Sequence, residues 1–130
     1  MKLSTAARNA IMDSITTTMG NAGKLRVYTG SAPAAPSDAA TGTLLSEHTT
    51  GTPFAPSASA GVLSPTLPSN VNASATGTAG YWRLYKSDGT TCVAQGSVGT
   101  SGAEINFNTL SLVSGGPVQV NSWTITEGNP

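Results

Sequence analysis

The stretch GYWRLYKSDGTTCVAQGSVGTSG, residues 80–102, decides the fold of this chain. It opens with aromatic and bulky residues of the types that suit a pleated surface. Asp88-Gly89 follows and gives a strong two-residue hairpin signal, because that turn needs a positive φ, where glycine carries no steric penalty. We therefore predict an antiparallel β-hairpin at the centre of the molecule.

The two faces of the first hairpin strand carry different side chains. Because side chains alternate along a strand, two groups project in opposite directions: Trp82, Leu84 and Lys86 to one side, and Tyr81, Arg83 and Tyr85 to the other. The pattern is typical of a half-buried strand whose role is packing.

The charge content is low and unevenly distributed. Only 9% of the 130 residues are charged, against about 25% in average soluble domains. Neither residues 48–82 nor residues 105–126 contain any Asp, Glu, Lys or Arg. Mixed surface charge normally keeps a monomer soluble, so these neutral tracts, rich in Ser, Thr, Ala and Gly, favour surfaces covered by other subunits over a neutral-surfaced monomer.

Several classes of partner are excluded by composition. The net charge is zero and the six basic residues are scattered, so the electrostatic driving force for nucleic-acid binding is missing. The two local pairs, Lys24/Arg26 and Arg83/Lys86, are predicted to be solvated. The first ten residues have no apolar run typical of a secretory signal and no 18-residue apolar stretch occurs, so we expect no membrane span and a mature chain that starts at Met1.

The sequence contains no motif for catalysis, a metal or a cofactor, and we assign no site residue of these kinds. Cys92 is the only cysteine, which excludes a disulfide framework, and we expect a buried, inert thiol. His48 is the only histidine and is predicted to lie exposed or on a sheet face. The carboxylates are dispersed, without a pair close in sequence: Asp13, Asp38, Glu47, Asp88, Glu104 and Glu127. The strand aromatics Trp82, Trp123, Tyr81 and Tyr85 could form a carbohydrate-stacking platform, but a core or interface role is favoured.

Residues 3–19 are predicted to form the only helix. Ser4 is a suitable N-cap, Gly20 stands where a left-handed residue would end the helix, and apolar residues recur at fourfold spacing: Leu3, Ala7, Ile11, Ile15 and Met19. A helix of this length is marginal alone in water, so the apolar stripe must dock, either on its own sheet, which is favoured, or on a neighbour.

The remainder, residues 23–126, is predicted to be a β-sandwich within a single domain, 1–130. Residues 24–29 alternate as a clean strand, and the shift of the apolar phase before Trp123 indicates a bulge near residues 121–122 or a strand that is apolar on both faces. Four prolines disfavour a long central strand in residues 51–74, which either wrap the sandwich as short edge strands or form an arm that orders against another subunit. The predicted fold is therefore all-β, an antiparallel sandwich or jelly-roll-like, with one N-terminal helix.

Four segments carry a resemblance to a known group of proteins: LSTAARNAIMDSI at 3–15, GKLRVYTGSAPAAPSDAATGTLLSE at 23–47, ATGTAGYWRLYKSDGT at 75–90, and SVGTSGAEINFNTLSLVSGGPVQVNSWTIT at 97–126. Nearly the whole chain resembles small structural proteins of tailed bacteriophages. Some of these are capsid decoration or cement proteins with jelly-roll-like folds that bind the shell as dimers or trimers, and others are tail or fibre components.

The resemblance implies a non-enzymatic virion protein. The leading hypothesis is a capsid decoration or cement subunit on the capsid surface, made in the host cytoplasm. It would bind the major capsid protein and copies of itself, bridge neighbouring capsomers, and need no cofactor, nucleic acid, membrane or small-molecule substrate. The alternative is a tail, tail-fibre or receptor-binding module, and a glycan-cleaving enzyme is a third class. The residues of the interface are not assigned.

Overall fold

A computed structural model describes residues 1–127, which form a mostly β structure with one helix. The helix, α1, is Thr5–Met19. Eleven short strands follow it in the described residues: β1 Lys24–Thr29, β2 Leu44–Thr49, β3 Val62–Leu63, β4 Val71–Asn72, β5 Gly77–Tyr85, β6 Cys92–Gly99, β7 Ile105–Phe107, β8 Ser111–Leu112, β9 Pro117–Val118, β10 Val120–Trp123 and β11 Ile125–Thr126.

Both ends of α1 are capped as predicted. The Ser4 hydroxyl accepts a hydrogen bond from the Ala7 N–H at 3.1 Å, which satisfies one of the amides that a helix leaves without a partner. Gly20 adopts φ +63° and donates its N–H to the Thr16 carbonyl at 3.2 Å. The helix therefore starts and stops where local sequence signals place its ends.

The predicted apolar stripe of α1 is only partly correct. Met12 and Met19 are buried and Ile15 is half-buried, but Ile11 is 42% exposed. A fourfold spacing advances about 40° around a helix at each step, so five such positions cannot all face one surface. The helix docks on its own domain, where it contacts β3 and β6.

Polar side chains fix the position of α1. The Asn9 side-chain oxygen accepts the Gly61 N–H at 2.8 Å, and the Asp13 carboxylate accepts the Ala58 N–H at 2.7 Å. Arg8 donates to the Glu127 carbonyl at 2.9 Å. The helix thus joins the loop before β3 to the end of the described chain.

The main sheet is mixed, which corrects the prediction of a purely antiparallel arrangement. Its order is β10-β7-β6-β5-β1-β2, with β8 paired to the start of β5. All these pairs are antiparallel except β6 with β7, which run parallel through Val98↔Ile105 and Gly99↔Asn106. Parallel strands usually need a long crossover. Only two residue pairs are involved here, so the five residues between β6 and β7 suffice.

The predicted hairpin is confirmed, but its turn is longer than predicted. Strands β5 and β6 pair antiparallel from Tyr81↔Ser97 to Tyr85↔Cys92. The connection is closed by a hydrogen bond from the Lys86 N–H to the Thr91 carbonyl, so four residues lie between these two. Gly89 supplies the positive φ, +71°, and the Asp88 carboxylate accepts the N–H groups of Thr90 and Thr91, which favours the wider turn.

The register near the C-terminus confirms the predicted bulge. Pairing of β10 with β7 shifts between Val120 and Ser122. The bulge lets Val120 and Trp123 both be buried although they are three residues apart. The strand partner then changes, since β11 pairs with β3 rather than with the main sheet.

The core cluster contains side chains from the main sheet and from two smaller two-stranded sheets, β11-β3 and β4-β9. Trp123 packs edge-to-face on Phe54 at 5.3 Å and on Trp82 at 5.8 Å between ring centroids. Phe54 and Leu63 are fully buried, so residues 51–74 contribute to the core of their own chain. This agrees with the first of the two alternatives for that segment.

Candidate functional site

The face of the main sheet opposite the core carries buried polar and aromatic side chains. Each is less than 10% exposed: Tyr28, Tyr81, Arg83 and Tyr85. The register of β1 and β5 pairs Tyr28 with Tyr81 and places Arg83 two residues further along β5 on the same face. We call these four residues the tyrosine–arginine face.

The burial of this face corrects two predictions. Strand β5 is buried on both faces from Tyr81 to Tyr85, not half-buried, and Arg83 is 1% exposed rather than solvated. The cause is the chain between β1 and β2, residues 31–42, which folds back over the tyrosine–arginine face. We call this segment the covering loop.

The covering loop is closed at its neck. The Thr29 N–H donates to the Thr43 carbonyl at 3.0 Å, and the Thr43 N–H donates to the Thr29 hydroxyl at 2.8 Å. Gly30 and Gly42 flank this neck with φ values of +82° and +78°. A Cβ on Gly42 would collide with the Thr29 carbonyl oxygen, so the close approach requires glycine. Compact loops with adjoining ends of this kind are often functional.

Arg83 holds the middle of the covering loop. Its Nη2 donates to the carbonyl oxygens of Ala35 and Pro36 at 3.1 and 3.3 Å. On the sheet, Nε and Nη2 donate to the Gln95 side-chain oxygen at 3.1 and 3.0 Å, and Nη1 donates to the Tyr85 hydroxyl at 3.2 Å. All these acceptors are neutral.

Two further side chains of the sheet hold the ends of the loop. The Gln95 amide donates to the Pro33 carbonyl at 2.6 Å. The Tyr81 hydroxyl donates to the Thr41 carbonyl at 2.6 Å and accepts the Thr41 N–H at 3.0 Å. The loop is therefore bound to the sheet mainly through its backbone.

Arg83 and its cross-strand neighbour Arg26 differ in their partners. Arg26 forms an ion pair with Glu47, with 2.6 Å between Nε and Oε2, and lies 4.7 Å from the centre of the Tyr85 ring. Among the described residues this is the one ion pair between side chains. Burial acts against the charge of Arg83, but its hydrogen bond to Tyr85 and the neighbouring groups raise its pKa, so the guanidinium remains charged.

The tyrosines form one continuous layer. Tyr28 and Tyr81 stack with 5.2 Å between ring centroids. Burial and a hydrogen bond with Tyr85 raise the pKa of Tyr28 to about 12. The Tyr28 hydroxyl is therefore protonated at neutral pH and acts as a hydrogen-bonding group.

His48 lies on β2 and is fully buried, so of the two predicted placements the sheet face is correct and the exposed one is wrong. Its Nδ1 is 3.2 Å from the Ser69 carbonyl oxygen and its Nε2 is 3.3 Å from the Ser46 hydroxyl. A carbonyl can only accept, so we assign the proton to Nδ1. Burial lowers the pKa of His48, which favours the neutral ring.

The carboxylates occupy separate local positions. Five of them each engage a partner of their own: Asp13 with the Ala58 N–H, Asp38 with the Ala35 N–H, Glu47 with Arg26, Asp88 with the N–H groups of Thr90 and Thr91, and Glu104 with the Ser97 N–H. In residues 1–127 no three His, Cys, Asp or Glu side chains come together as a metal site.

The cysteine and the four strand aromatics singled out in the sequence are all at least half-buried in the fold. Cys92 is half-buried, its Sγ is 3.4 Å from the Ala94 carbonyl oxygen, and burial raises the pKa of the thiol. Trp82 and Trp123 belong to the core, as favoured. Tyr81 is bonded to the covering loop and Tyr85 contacts Arg83 and Arg26, and both are buried, so the four aromatics do not form one exposed platform.

The sequence predicts an extended loop over residues 31–41, because prolines disfavour a strand or helix there, but it does not predict that this loop covers the sheet. Its local signals are the glycines at 30 and 42 that bracket a segment with two prolines. These mark a loop but do not tell which surface the loop covers.

Comparisons with family models, curated proteins and solved structures found no match to this chain. The helix among the described residues is too short and too polar to cross a bilayer. No surface pocket is present within residues 1–127.

Proposed function

We propose that the protein is a non-enzymatic structural component of a bacteriophage particle, a capsid decoration or cement subunit. It would bind the major capsid protein and stabilise the shell by bridging neighbouring capsomers. The proposal starts from the sequence resemblance and from the uncharged tracts 48–82 and 105–126.

One structural observation supports an adhesive role for these tracts. Each exposes a large apolar side chain: Leu67 is 46% exposed and Val113 is 61% exposed. The desolvation of apolar groups in an uncharged surrounding costs little free energy, which suits a surface that contacts another protein. Many weak copies of such a contact, repeated over a lattice, stabilise an assembly without a tight single site.

We further propose that the fold is a two-layer β-sandwich. The main sheet would form one layer and the β11-β3 and β4-β9 sheets the other. Leu63 and Val118 of the small sheets share a core with Leu25 and Trp82 of the main sheet, which supports this arrangement. A rigid sandwich is a suitable scaffold for lattice contacts.

The alternative role, a tail-fibre or receptor-binding module, has less support. It would be favoured by aromatic side chains exposed on loops. All three tyrosines and both tryptophans of the chain are buried. The decoration hypothesis therefore remains the leading one.

The proposal is tested with particles of the virus that encodes the protein. Cryo-electron microscopy should place the subunit on the capsid surface, and particles lacking it should break down at lower temperature or milder osmotic shock. Density at the tail tip, or unchanged shell stability without the protein, would contradict it.

Matched variants locate the contact surface. Leu67→Asp and Val113→Asp should each abolish binding to particles that lack the protein, because each places a charge in an uncharged interface. Ile11→Asp is the control: Ile11 is 42% exposed, like Leu67, but lies outside the neutral tracts. Loss of binding in all three variants, or in none, would reject the assignment of the tracts as the contact surface.

A further inference from the structure

The sheet beneath the covering loop presents a cluster of hydrogen-bond donors. Arg83 Nη2, the Gln95 amide and the Tyr81 hydroxyl all point to the same segment of chain, where they meet backbone carbonyl oxygens. The acceptors come from four loop residues: Pro33, Ala35, Pro36 and Thr41. The loop backbone therefore occupies the position of an oxygen-rich ligand.

The charge of this cluster is not neutralised by the loop. Arg83 is 1% exposed, and its hydrogen bonds go to carbonyl, amide and hydroxyl oxygens. A buried cation without an anionic partner is an unfavourable arrangement. An anion that replaced the carbonyls of Ala35 and Pro36 would gain a charge-assisted interaction that the closed loop lacks.

The covering loop is attached to the sheet by polar contacts, because five hydrogen bonds join its backbone to Arg83, Gln95 and Tyr81. None of residues 31–42 is buried, and only Pro33 and Ala35 are even half-buried. The loop itself therefore loses little apolar surface to water when it closes, and its carbonyls would be solvated when it opens. Opening would expose tyrosine rings of the face beneath it, so a ligand that replaces the loop must cover those rings again. Gly30 and Gly42, at the two ends, have the backbone freedom expected of hinges.

We propose that the covering loop is a displaceable lid over a binding site for a carboxylate-bearing saccharide, with Arg83 as the carboxylate-binding group. The guanidinium fork matches a carboxylate in a bidentate arrangement. Gln95 and the hydroxyls of Tyr81 and Tyr85 can donate to or accept from sugar hydroxyls. The stacked Tyr28 and Tyr81 rings add an aromatic border on the same face.

This site is independent of the proposed decoration role. It lies on the tyrosine–arginine face, whereas the proposed lattice contacts involve Leu67 and Val113. A protein that decorates capsids without binding a saccharide, or the reverse, is equally consistent with the fold. The two proposals are therefore tested by separate measurements.

The first experiment uses the wild-type chain and small probes. Titration with D-glucuronate, followed by NMR, should give saturable shifts at Arg83 and in residues 31–42, while D-glucose should give none. Amide exchange of Thr41, whose N–H is bonded to Tyr81, should accelerate at least fivefold at saturation. Absence of saturable binding, or binding without faster exchange in the loop, would overturn the proposal.

Two further probes distinguish the class of ligand. Acetate and a short Glu-rich peptide carry the same carboxylate without the sugar ring. Glucuronate should bind at least tenfold more tightly than either. Equal affinity for acetate would reject the saccharide part of the assignment, and tighter binding of the peptide would identify an acidic protein segment as the ligand instead.

Variants of Asp38 test the lid separately from the site. The Asp38 carboxylate accepts the Ala35 N–H at 3.1 Å within the loop. Asp38→Ala should loosen the closed loop and raise glucuronate affinity about fivefold. Asp38→Asn removes the same charge but keeps an acceptor, so its affinity should stay within twofold of wild type. Equal effects of both variants would indicate simple electrostatics and contradict a lid.

Variants of the two arginines test the site itself. Arg83→Gln should weaken glucuronate binding at least tenfold, whereas Arg26→Gln, on the same face but already paired with Glu47, should change it less than twofold. A reversed order would overturn the assignment of Arg83. If Arg83→Gln does not fold, as circular dichroism would reveal, the exchange experiment on the wild-type chain decides.

Discussion

At the scale of single residues, the unusual feature is the burial of polar side chains in a chain with few charges. Arg83 and His48 are 1% and 0% exposed. Both are held mainly by neutral groups, Arg83 by carbonyl, amide and hydroxyl oxygens and His48 by a carbonyl and a hydroxyl. Buried polar groups need such partners because an unsatisfied group costs about 1–3 kcal/mol. Each residue thus depends on a distant segment of chain folded over it.

The burial of His48 predicts a pH-dependent stability. Its pKa is lowered in the folded protein, so below about pH 6.5, the ordinary value for histidine, the unfolded chain takes up a proton that the folded chain refuses. Above that pH, His48 makes its full contribution to the free energy of unfolding. As the pH falls toward the lowered pKa of the folded state, this contribution decreases by at most about 1.4 kcal/mol per pH unit. Urea unfolding at pH 7 and pH 5 measures the loss.

The control for this prediction is His48→Asn. Asparagine keeps a short donor for the Ser69 carbonyl but does not titrate, so the pH dependence between 7 and 5 should become flat. The titration of Asp88 does not affect stability between pH 7 and pH 5. Hydrogen bonds from Thr91 and Thr90 lower its pKa to about 2, so Asp88 changes the stability only below about pH 4. An unchanged slope in the variant would show that another group is responsible.

At the scale of elements, α1 is attached as much by polar side chains as by apolar packing. Met12 and Met19 are its only buried apolar residues, and three polar side chains bond to backbone groups of other elements. Such bonds are directional, so they fix the rotation of the helix about its axis. This explains why Ile11 can face solvent while Asn9 and Asp13 face the domain.

We therefore expect Asn9→Ala to destabilise the protein. The change leaves the N–H of Gly61, which is buried, without its acceptor, and the expected loss is about 1–3 kcal/mol in the free energy of unfolding. The matched control is Ser14→Ala, because the Ser14 hydroxyl bonds only to the Ile11 carbonyl within the exposed side of the helix. Chemical denaturation compares the two, and equal losses would contradict a docking role for Asn9.

At the scale of the whole molecule, the segment 51–74 belongs to the same core as the sheet. Phe54 is fully buried against Trp123, although the two lie 69 positions apart. The helix, this segment and the C-terminal strands all meet near Gly61, whose carbonyl accepts the Glu127 N–H at 2.9 Å. The described chain should therefore unfold as one cooperative unit.

Phe54→Ala tests this cooperativity. Removal of the ring should cost about 3–5 kcal/mol and reduce the near-ultraviolet signal of Trp123 along with the far-ultraviolet signal of the sheet, in a single transition. The control in the same segment is Leu67→Ala, which should cost less than about 0.5 kcal/mol because Leu67 is 46% exposed. Loss of segment 51–74 alone, with the sheet intact, would indicate a detachable arm.

The sequence by itself determined the features that depend on neighbouring residues. Ser4 and Gly20 mark the helix ends, the alternation in β5 and the Asp88-Gly89 signal mark the hairpin, and the apolar phase marks the bulge near residue 121. These are set by local backbone preferences and side-chain direction, which a few adjacent residues encode.

Only the tertiary structure decided which surfaces are covered. Some of these features depend on contacts between residues that are distant in sequence: the covering loop, the burial of Arg83 and the buried position of His48. The parallel pairing of β6 with β7 is contrary to the local expectation of an antiparallel sheet. A strand that alternates polar and apolar residues looks half-buried whether its polar face meets water or a folded-back loop. The difference lies in loop closure and in long-range hydrogen bonds, which periodicity does not encode.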